Sequence, residues 1–186
     1  GVGDYFDSTP QVINSIGSWD VKTAHLNKDG LLDLVVATYH STTKSHQNYV
    51  YINNGTSTPY TNNYGTDLFD LDPAGEKFDS SSLGLADIDN DGDIDVVVGN
   101  STRNYVYLNA GSGRYYDKRL FSSGEASPDA DDTKSIAIGD VNGDGWLDVV
   151  TGNTGKVNRL YLNSKGGDPY PAAGVSITSD ADDTFN

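Results

Sequence analysis

Aspartate or asparagine recurs at every second position in parts of two nine-residue stretches of this chain. Residues 87–95 read Asp-Ile-Asp-Asn-Asp-Gly-Asp-Ile-Asp, and residues 140–148 read Asp-Val-Asn-Gly-Asp-Gly-Trp-Leu-Asp. Side-chain oxygens therefore stand at positions one, three, five and nine, while the glycine at position six permits a turn sharp enough to converge them. Because crowded carboxylates repel one another unless a cation lies between them, this spacing predicts a site for a hard cation.

Calcium is the cation that the spacing favours, because Mg²⁺ prefers a few protein ligands together with water. Position seven is expected to contribute its backbone carbonyl rather than its side chain. We call residues 87–95 loop 2 and residues 140–148 loop 3. The predicted ligand residues are Asp87, Asp89, Asp91, Asp93 and Asp95 in loop 2, and Asp140, Asn142, Asp144, Trp146 and Asp148 in loop 3.

A degenerate copy of the same pattern, loop 1, occupies residues 25–33. It has His25 where the first aspartate is expected, so its predicted ligand residues are Asn27, Asp29, Leu31 and Asp33. Fewer carboxylates predict a weaker third calcium site, since the charge of the ligands tunes affinity. A single loop of this composition could equally be a solvated β-turn, but its recurrence favours metal binding. An EF-hand is excluded because position twelve is Val98 or Thr151 instead of glutamate.

The loops belong to a longer internal repeat. Residues 80–111 recur at 133–166 and, more weakly, at 18–55. In each copy short runs rich in Val, Ile and Tyr alternate with Gly, Asn and Asp, which is typical of strands and turns. We predict an all-β fold of three tandem four-stranded antiparallel propeller-like blades, with the acidic loops between the first and second strands. The run after each loop is expected to be buried on both faces, and the tyrosine-rich third run to be half covered.

The repeats divide one domain, residues 1–186, into parts. Residues 1–17 are predicted to be a spare outer strand, residues 18–79, 80–132 and 133–179 the three blades, and residues 180–186 a truncated lead-in to a further repeat. Closed propellers have about four to eight blades. Three blades therefore predict an incomplete propeller unless it is extended or oligomerised.

The composition excludes several classes of function. The chain has 27 acidic against 12 basic residues, a net charge of -15, which disfavours binding to nucleic acid or anionic membranes. No apolar run is long enough for membrane insertion, and the absence of cysteine excludes disulfides and thiol chemistry. No catalytic motif is present, so we expect no catalytic residues, no organic cofactor and no enzymatic activity.

The sequence resembles the FG-GAP and VCBS repeats. The resemblance is carried by residues 140–153, by the run Asn-Arg-Leu-Tyr-Leu-Asn at 158–163 and by the Asp-Ala-Asp-Asp-Thr lead-ins at 129–133 and 180–184. The literal Phe-Gly and Gly-Ala-Pro signatures are absent, which brings the chain nearer the bacterial VCBS-like branch than the integrin propellers. The resemblance implies an extracellular or cell-surface location, a metal loop in each blade, and roles in adhesion, ligand binding or scaffolding.

These observations lead to three alternative functions. The first is an extracellular calcium-binding module for adhesion, for glycan or protein binding, or for scaffolding. The second is a subunit of an extracellular fibre that self-associates head-to-tail through its terminal strands, and the third is an accessory domain of a secreted hydrolase. Asn54 and Asn100 also fit the N-glycosylation acceptor pattern.

Overall fold

Short β-branched and aromatic runs form the strands of this protein. The computed structural model describes residues 13, 17–38, 48–60, 66–67, 79–113, 115–122 and 129–178, and within them the chain forms twelve strands and no helix. The prediction of an all-β fold with antiparallel sheets is confirmed. Most of the predicted outer strand 1–17 and all of the lead-in 180–186 lie outside the described residues. In the described part, no helix has the length and apolarity needed to cross a membrane.

The strands form three four-stranded sheets, each ordered as the chain runs. Sheet 1 contains β1 (Ser18–Ala24), β2 (Asp33–Thr38), β3 (Tyr49–Tyr51) and β4 (Thr66–Asp67). Sheet 2 contains β5 (Ser80–Ala86), β6 (Asp95–Asn100), β7 (Tyr105–Asn109) and β8 (Tyr115–Leu120). Sheet 3 contains β9 (Asp132–Gly139), β10 (Asp148–Thr154), β11 (Arg159–Tyr161) and β12 (Val175–Ser176).

The same register recurs where the first and second strands of each sheet meet. The pairs that close these hairpins are Ala24 with Asp33, Ala86 with Asp95, and Gly139 with Asp148. The last residue of each acidic loop is therefore also the first residue of the second strand. Because this aspartate is paired in the sheet, it holds the acidic loop at the end of the sheet.

The valine run of β6 supplies the core on both sides of sheet 2. Val96 and Val98 pack towards sheet 1, where they meet Val35. Val97 points the opposite way and packs with Val149 of sheet 3. Because successive strand residues face opposite sides, an uninterrupted apolar run indicates burial on both faces, as predicted here. Each buried valine contributes about 1.5–3 kcal/mol through the apolar surface removed from water.

The tyrosines of the third strands are more buried than their sequence predicts. Tyr107 is 0% and Tyr161 2% exposed, and Phe121 packs edge-on against Tyr161 with ring centroids 4.8 Å apart. The expectation of half-covered tyrosines therefore holds for Tyr49 but is wrong for the other tyrosines of the third strands. It failed because stacking of the sheets covers these strands, which alternation along a single strand does not reveal.

Buried polar side chains join the sheets at the ends of the strands away from the loops. Asn48 donates to Ser80 Oγ at 2.9 Å, and Ser80 donates to Asn100 Oδ1 at 2.7 Å. Thr133 makes the equivalent relay between sheets 2 and 3. Asn100 is fully buried, which leaves no room for a glycan on it in the folded protein, whereas Asn54 is exposed.

The first strands of the three sheets lie next to one another, with β5 in contact with both β1 and β9. They line an open cleft of about 370 Å³. Its walls are formed by Lys22, Thr23, Leu83, Gly84, Leu85, Ile136 and Ile138. The three loops therefore project from neighbouring strand ends of adjoining sheets.

Candidate metal centre

All three acidic loops share one backbone conformation. Position six is glycine with a positive φ of 83° at Gly30, 87° at Gly92 and 86° at Gly145. Position four is also left-handed, with φ of 62° at Lys28 and 60° at Asn90. Glycine at position six was expected from the need for a sharp turn, whereas the second left-handed residue was not. Two left-handed residues in one loop turn the backbone so sharply that the side chains of the loop point towards a common centre.

Loop 2 brings three of its five carboxylates together. Asp87, Asp89 and Asp95 each offer an oxygen, and these oxygens all lie within 4.8 Å of one another. Calcium binds oxygen at about 2.3–2.6 Å, so ligands of one ion are separated by at most about 5 Å. The three carboxylates therefore fit a single metal ion. Burial raises the pKa of Asp89, and the charges of Asp91 and Asp87 raise it further.

Asp87, at position one, shapes the loop through its backbone contacts. Its two carboxylate oxygens accept hydrogen bonds from the amides of Asp91 at 3.0 Å and Gly92 at 2.9 Å. These local bonds hold the turn at the glycine. Asp91, at position five, is exposed and its Oδ1 accepts from the amide of Asp93 at 2.8 Å.

Asp95, at position nine, joins the loop to the sheet. Its Oδ2 accepts from the amide of Ile88 at 2.7 Å and its Oδ1 from the amide of Asn109 at 2.8 Å. The carboxyl is fully buried, and this burial raises its pKa to about 7, although the two backbone bonds oppose the rise. Asp33 and Asp148 make the same two contacts in loops 1 and 3. Position nine is thus a structural residue as well as a candidate ligand.

Asp93, at position seven, lies outside the three-carboxylate cluster. Its side chain is buried and forms an ion pair at 2.5 Å with Lys28 of loop 1. That position seven offers its backbone carbonyl to a metal ion, rather than this side chain, stays a prediction. The pKa of Lys28 is raised by its hydrogen bond to Asp93, with the charges of Asp91 and Asp87 adding to the rise.

Loop 3 repeats the internal bonds of loop 2. Asp140 accepts from the amides of Gly143, Asp144 and Gly145 at 2.8–3.0 Å. The amide of Trp146 donates to Asp144 Oδ1 at 2.9 Å. The carboxylates of this loop do not form a cluster as tight as that of loop 2 among the residues the structure describes.

Asp144 has further partners on its other oxygen. Asn142 donates to Oδ2 at 3.0 Å, and the ammonium of Lys165 lies 3.2 Å from the same atom. Although partial burial opposes it, the bonds from Trp146, Asn142 and Lys165 lower the pKa of Asp144. The carboxylate is therefore held in its charged form.

In loop 1, side chains of the loop bond to groups of the same loop. His25 Nδ1 lies 2.7 Å from the carbonyl oxygen of Leu31, the position-seven carbonyl that was predicted as a ligand. Asn27 donates to Asp29 Oδ2 at 2.8 Å, and Asp29 Oδ1 accepts from the amide of Leu31, the bond that does most to lower the pKa of Asp29. The imidazole thus makes a contact that a metal ion would otherwise make.

Sequence reasoning missed the asparagine that ends each tyrosine-containing run. Asn53, Asn109 and Asn163 each donate a backbone amide to the position-nine aspartate. The Asn109 side chain also reaches the carbonyl oxygen of Leu26 in the preceding sheet, and Asn163 reaches that of Ile88. Their recurrence at the same place in three repeats was the signal that could have identified them.

Comparison with known proteins supports the repeat assignment. A family model described as an FG-GAP-like repeat matches residues 25–98 and again residues 87–151. Each match contains two of the acidic loops. A search of curated proteins found no match. Because the two matches together cover more than half of the sequence, the chain belongs to the FG-GAP-like repeat family.

Proposed function

We propose that this chain is an extracellular calcium-binding module in which Ca²⁺ in loops 2 and 3 rigidifies one end of the stacked sheets. The observation that carries the proposal is the convergence of Asp87, Asp89 and Asp95 to within 4.8 Å. When bound, calcium supplies positive charge that neutralises these carboxylates. The net charge of -15 adds a favourable long-range field for cations.

The remaining ligands follow from the loop geometry. Asp91 is exposed at position five of loop 2, and the carbonyl of Asp93 at position seven is the expected backbone ligand. In loop 3 the equivalent residues are Asp140, Asn142, Asp144, Asp148 and the carbonyl of Trp146. Loop 1 is the weaker third site, since His25 occupies the Leu31 carbonyl. Calcium sites of extracellular modules have Kd values of about 10⁻⁴–10⁻³ M, which is the range proposed here.

The sheets are proposed to be propeller-like blades. The neighbouring first strands and the cleft that they line support this arrangement. We propose an extracellular location and a non-catalytic role, which the resemblance of the sequence to FG-GAP and VCBS repeats implies. We propose that the loops present a surface to a glycan or protein ligand. Binding to a glycan array with and without calcium tests this part, and no calcium-dependent signal would count against a glycan.

The calcium proposal is tested by thermal unfolding and calorimetric titration with Ca²⁺. A ligand that binds only the folded state at 100 times its Kd stabilises by about 2.7 kcal/mol per site. For a chain of this size that corresponds to a rise in Tm of about 5–10 °C. The double substitution Asp91→Asn with Asp144→Asn is expected to abolish most of the rise. Asp132→Asn, which removes one negative charge from a residue paired with Lys134, is the control for each of the single substitutions Asp91→Asn and Asp144→Asn.

The outcome that overturns the proposal is a Tm independent of calcium, together with no heat of binding. A response to Mg²⁺ equal to that for Ca²⁺ would reject the assignment of calcium. If Asp132→Asn loses as much calcium-dependent stabilisation as Asp91→Asn or Asp144→Asn alone, general charge rather than site binding explains the effect.

A second candidate function, self-association, is favoured by the outer face of sheet 3. Position two of the loops is 1% exposed at Leu26 and 0% at Ile88, where the next sheet covers it, but 57% exposed at Val141. Leu162 is 45% exposed, whereas its counterpart Leu108 packs against the core between sheets 2 and 3. In the interfaces between sheets 1 and 2 and between sheets 2 and 3, the equivalent face is covered by another sheet of the same repeat. We therefore expect the outer face of sheet 3 to bind a sheet of the same kind.

We propose a second copy of this chain as the occupant, which would make a head-to-tail fibre subunit. The predicted route through terminal strands falls mainly on residues outside the described part, so the test addresses this face. Sedimentation velocity at rising concentration with calcium is expected to show growing assemblies for the native chain. Val141→Glu should remain monomeric, and Ala110→Glu, at an exposed turn of sheet 2, should assemble. Monomers throughout would exclude the proposal.

A further inference from the structure

The ammonium of Lys165 lies beside a candidate ligand of loop 3. It is 3.2 Å from Asp144 Oδ2, and Asp144 stands at position five, where a metal ion needs a carboxylate oxygen. Lysine carries a compact positive charge with three donors. A cation bound in loop 3 must therefore share this oxygen with the ammonium or displace it.

The backbone of Lys165 is held in place by the loop's own supports. Lys165 has a left-handed φ of 62°, and its amide donates to Asn163 Oδ1 at 2.9 Å. Asn163 is 5% exposed, and its own amide donates to Asp148 Oδ1 at 2.9 Å. Lys165 thus lies two residues after Asn163, the residue that connects loop 3 to its sheet. The backbone therefore places Lys165 next to loop 3, and its half-exposed side chain reaches Asp144.

Loop 2 also has a lysine neighbour, but at a different position. Lys28 pairs with Asp93 at position seven, whose side chain is outside the three-carboxylate cluster. Asp87, Asp89 and Asp95 have no lysine or arginine partner among the ion pairs of the described residues. Lys28 therefore acts on the loop 2 candidate ligands Asp91 and Asp87 only through charge, whereas Lys165 contacts a candidate ligand of loop 3 directly.

We propose that Lys165 is a built-in competitor for the divalent ion at loop 3, so that loop 2 fills at a lower calcium concentration than loop 3. This inference rests on the proposed calcium-binding function. Loop 2 also has five aspartates against three in loop 3, which strengthens its attraction for a cation. The consequence is graded loading, in which sheet 2 becomes rigid before sheet 3.

Backbone amide NMR during a calcium titration tests the order of filling. The amides of Gly92 and Gly145 are reporters, because each donates to the position-one aspartate of its loop at 2.8–2.9 Å. In the native chain, the Gly92 signal is expected to reach its midpoint at a lower calcium concentration than the Gly145 signal. Lys165→Met should lower the Gly145 midpoint about three- to tenfold, as removal of one nearby charge predicts, and leave Gly92 unchanged.

Two further variants separate charge from packing. Lys165→Arg keeps the positive charge and should retain the native order of filling. Lys134→Met removes an exposed lysine paired with Asp132 and should leave both midpoints unchanged. Thermal unfolding in metal-free buffer verifies that each variant folds.

The outcomes distinguish this inference from the function on which it rests. If neither glycine responds to calcium in the native chain, the calcium-binding function itself fails. If both respond but Gly145 fills first or together with Gly92, or if Lys165→Met leaves the Gly145 midpoint unchanged, the competitor role is overturned while calcium binding stands.

Discussion

The side-chain amide of Asn109 donates to the carbonyl oxygen of Leu26 at 2.8 Å, across the boundary between sheets 2 and 1. Asn163 makes the equivalent bond to Ile88 at 2.9 Å, between sheets 3 and 2. Each asparagine also supports the loop of its own sheet, since its backbone amide donates to the position-nine aspartate. Hydrogen bonds from these asparagines therefore join each loop to the next, in addition to the packing of the apolar core.

Asn109→Ala is expected to lower the free energy of unfolding by about 2–4 kcal/mol. The substitution leaves the buried Leu26 carbonyl without this donor and removes the acceptor for the amides of Gly111 and Gly113, and each unsatisfied buried group costs about 1–3 kcal/mol. Urea unfolding in metal-free buffer measures the loss. Asn53→Ala is the matched control, because Asn53 bonds Leu32 within its own sheet without a described cross-sheet bond. Equal losses in the two variants would contradict the cross-sheet role.

Substitutions of Asp95 and Asp91 should differ in their effect on the stability of the calcium-free protein. Asp95→Ala removes the acceptors of two backbone amides at a fully buried position, so we expect a loss of about 2–4 kcal/mol even in metal-free buffer. Asp91→Asn keeps the Oδ1 acceptor for Asp93 and should be nearly neutral there. With calcium added, both variants should lose the loop 2 contribution. Thermal unfolding in the two buffers separates these cases, and a neutral Asp95→Ala result in metal-free buffer would refute the structural role.

Stability should depend on pH through Asp95. Burial raises the pKa of its carboxyl to about 7 in the folded chain, against 3.8 as its ordinary value. The folded state therefore binds more protons than the unfolded state between those values, and this contribution to stability in metal-free buffer is lost as the pH rises from about 4 through about 7. Above that range the contribution of this group is constant.

Calcium should oppose this dependence. The ion needs the ionised carboxylate, so the rise in Tm on adding calcium is expected to be larger at pH 8 than at pH 5.5. Thermal scans at both pH values, with and without calcium, measure the difference. A calcium effect of the same size at both would show that Asp95 does not take part.

Gly99→Ala is expected to destabilise the contact between sheets 2 and 3. A Cβ at Gly99 would lie 2.7 Å from Thr133 Cγ2 and 3.1 Å from Ile136 Cδ1. Thr133 has little freedom to move, because its hydroxyl is bonded to both Asn104 and Asn153. Overpacking of this kind costs about 1–3 kcal/mol.

Gly139→Ala provides the comparison for this prediction. A Cβ at Gly139 meets nothing within 4 Å, so this variant should match the native chain in urea unfolding. If Gly99→Ala is as stable as Gly139→Ala, the two sheets are less tightly packed there than the structure indicates.

The loops could be predicted because their geometry is local. Asp87 reaches the amide of Gly92 only five residues away, and Asp144 reaches Trp146 two residues away. Side-chain to backbone bonds of this range follow from residue type and spacing. The same holds for the strands, since valine-rich runs bounded by glycine and asparagine form strands here as expected.

Contacts between distant residues could not be predicted in this way. Asn109 lies 83 residues from Leu26 in the chain, and the ion pair of Lys28 with Asp93 joins separate repeats. The predicted half exposure failed for all the third-strand tyrosines except Tyr49 for the same reason, because the sequence of one strand does not indicate which sheet will cover it. The role of each residue depended on its neighbours in space.

Taken alone, the sequence determined the all-β class and the turns that gather the acidic side chains, because both depend on residues close together in the chain. It also determined the repeat, because the copies can be compared directly along the sequence. Only the tertiary structure decided which carboxylates converge, which are already held by backbone amides, and which have a lysine beside them. Those distinctions depend on strand pairing as well as on sheet stacking. Asn109 and Lys165 reach their aspartates from the end of, or just after, the third strand of the same sheet, whereas Lys28 reaches Asp93 from the neighbouring sheet.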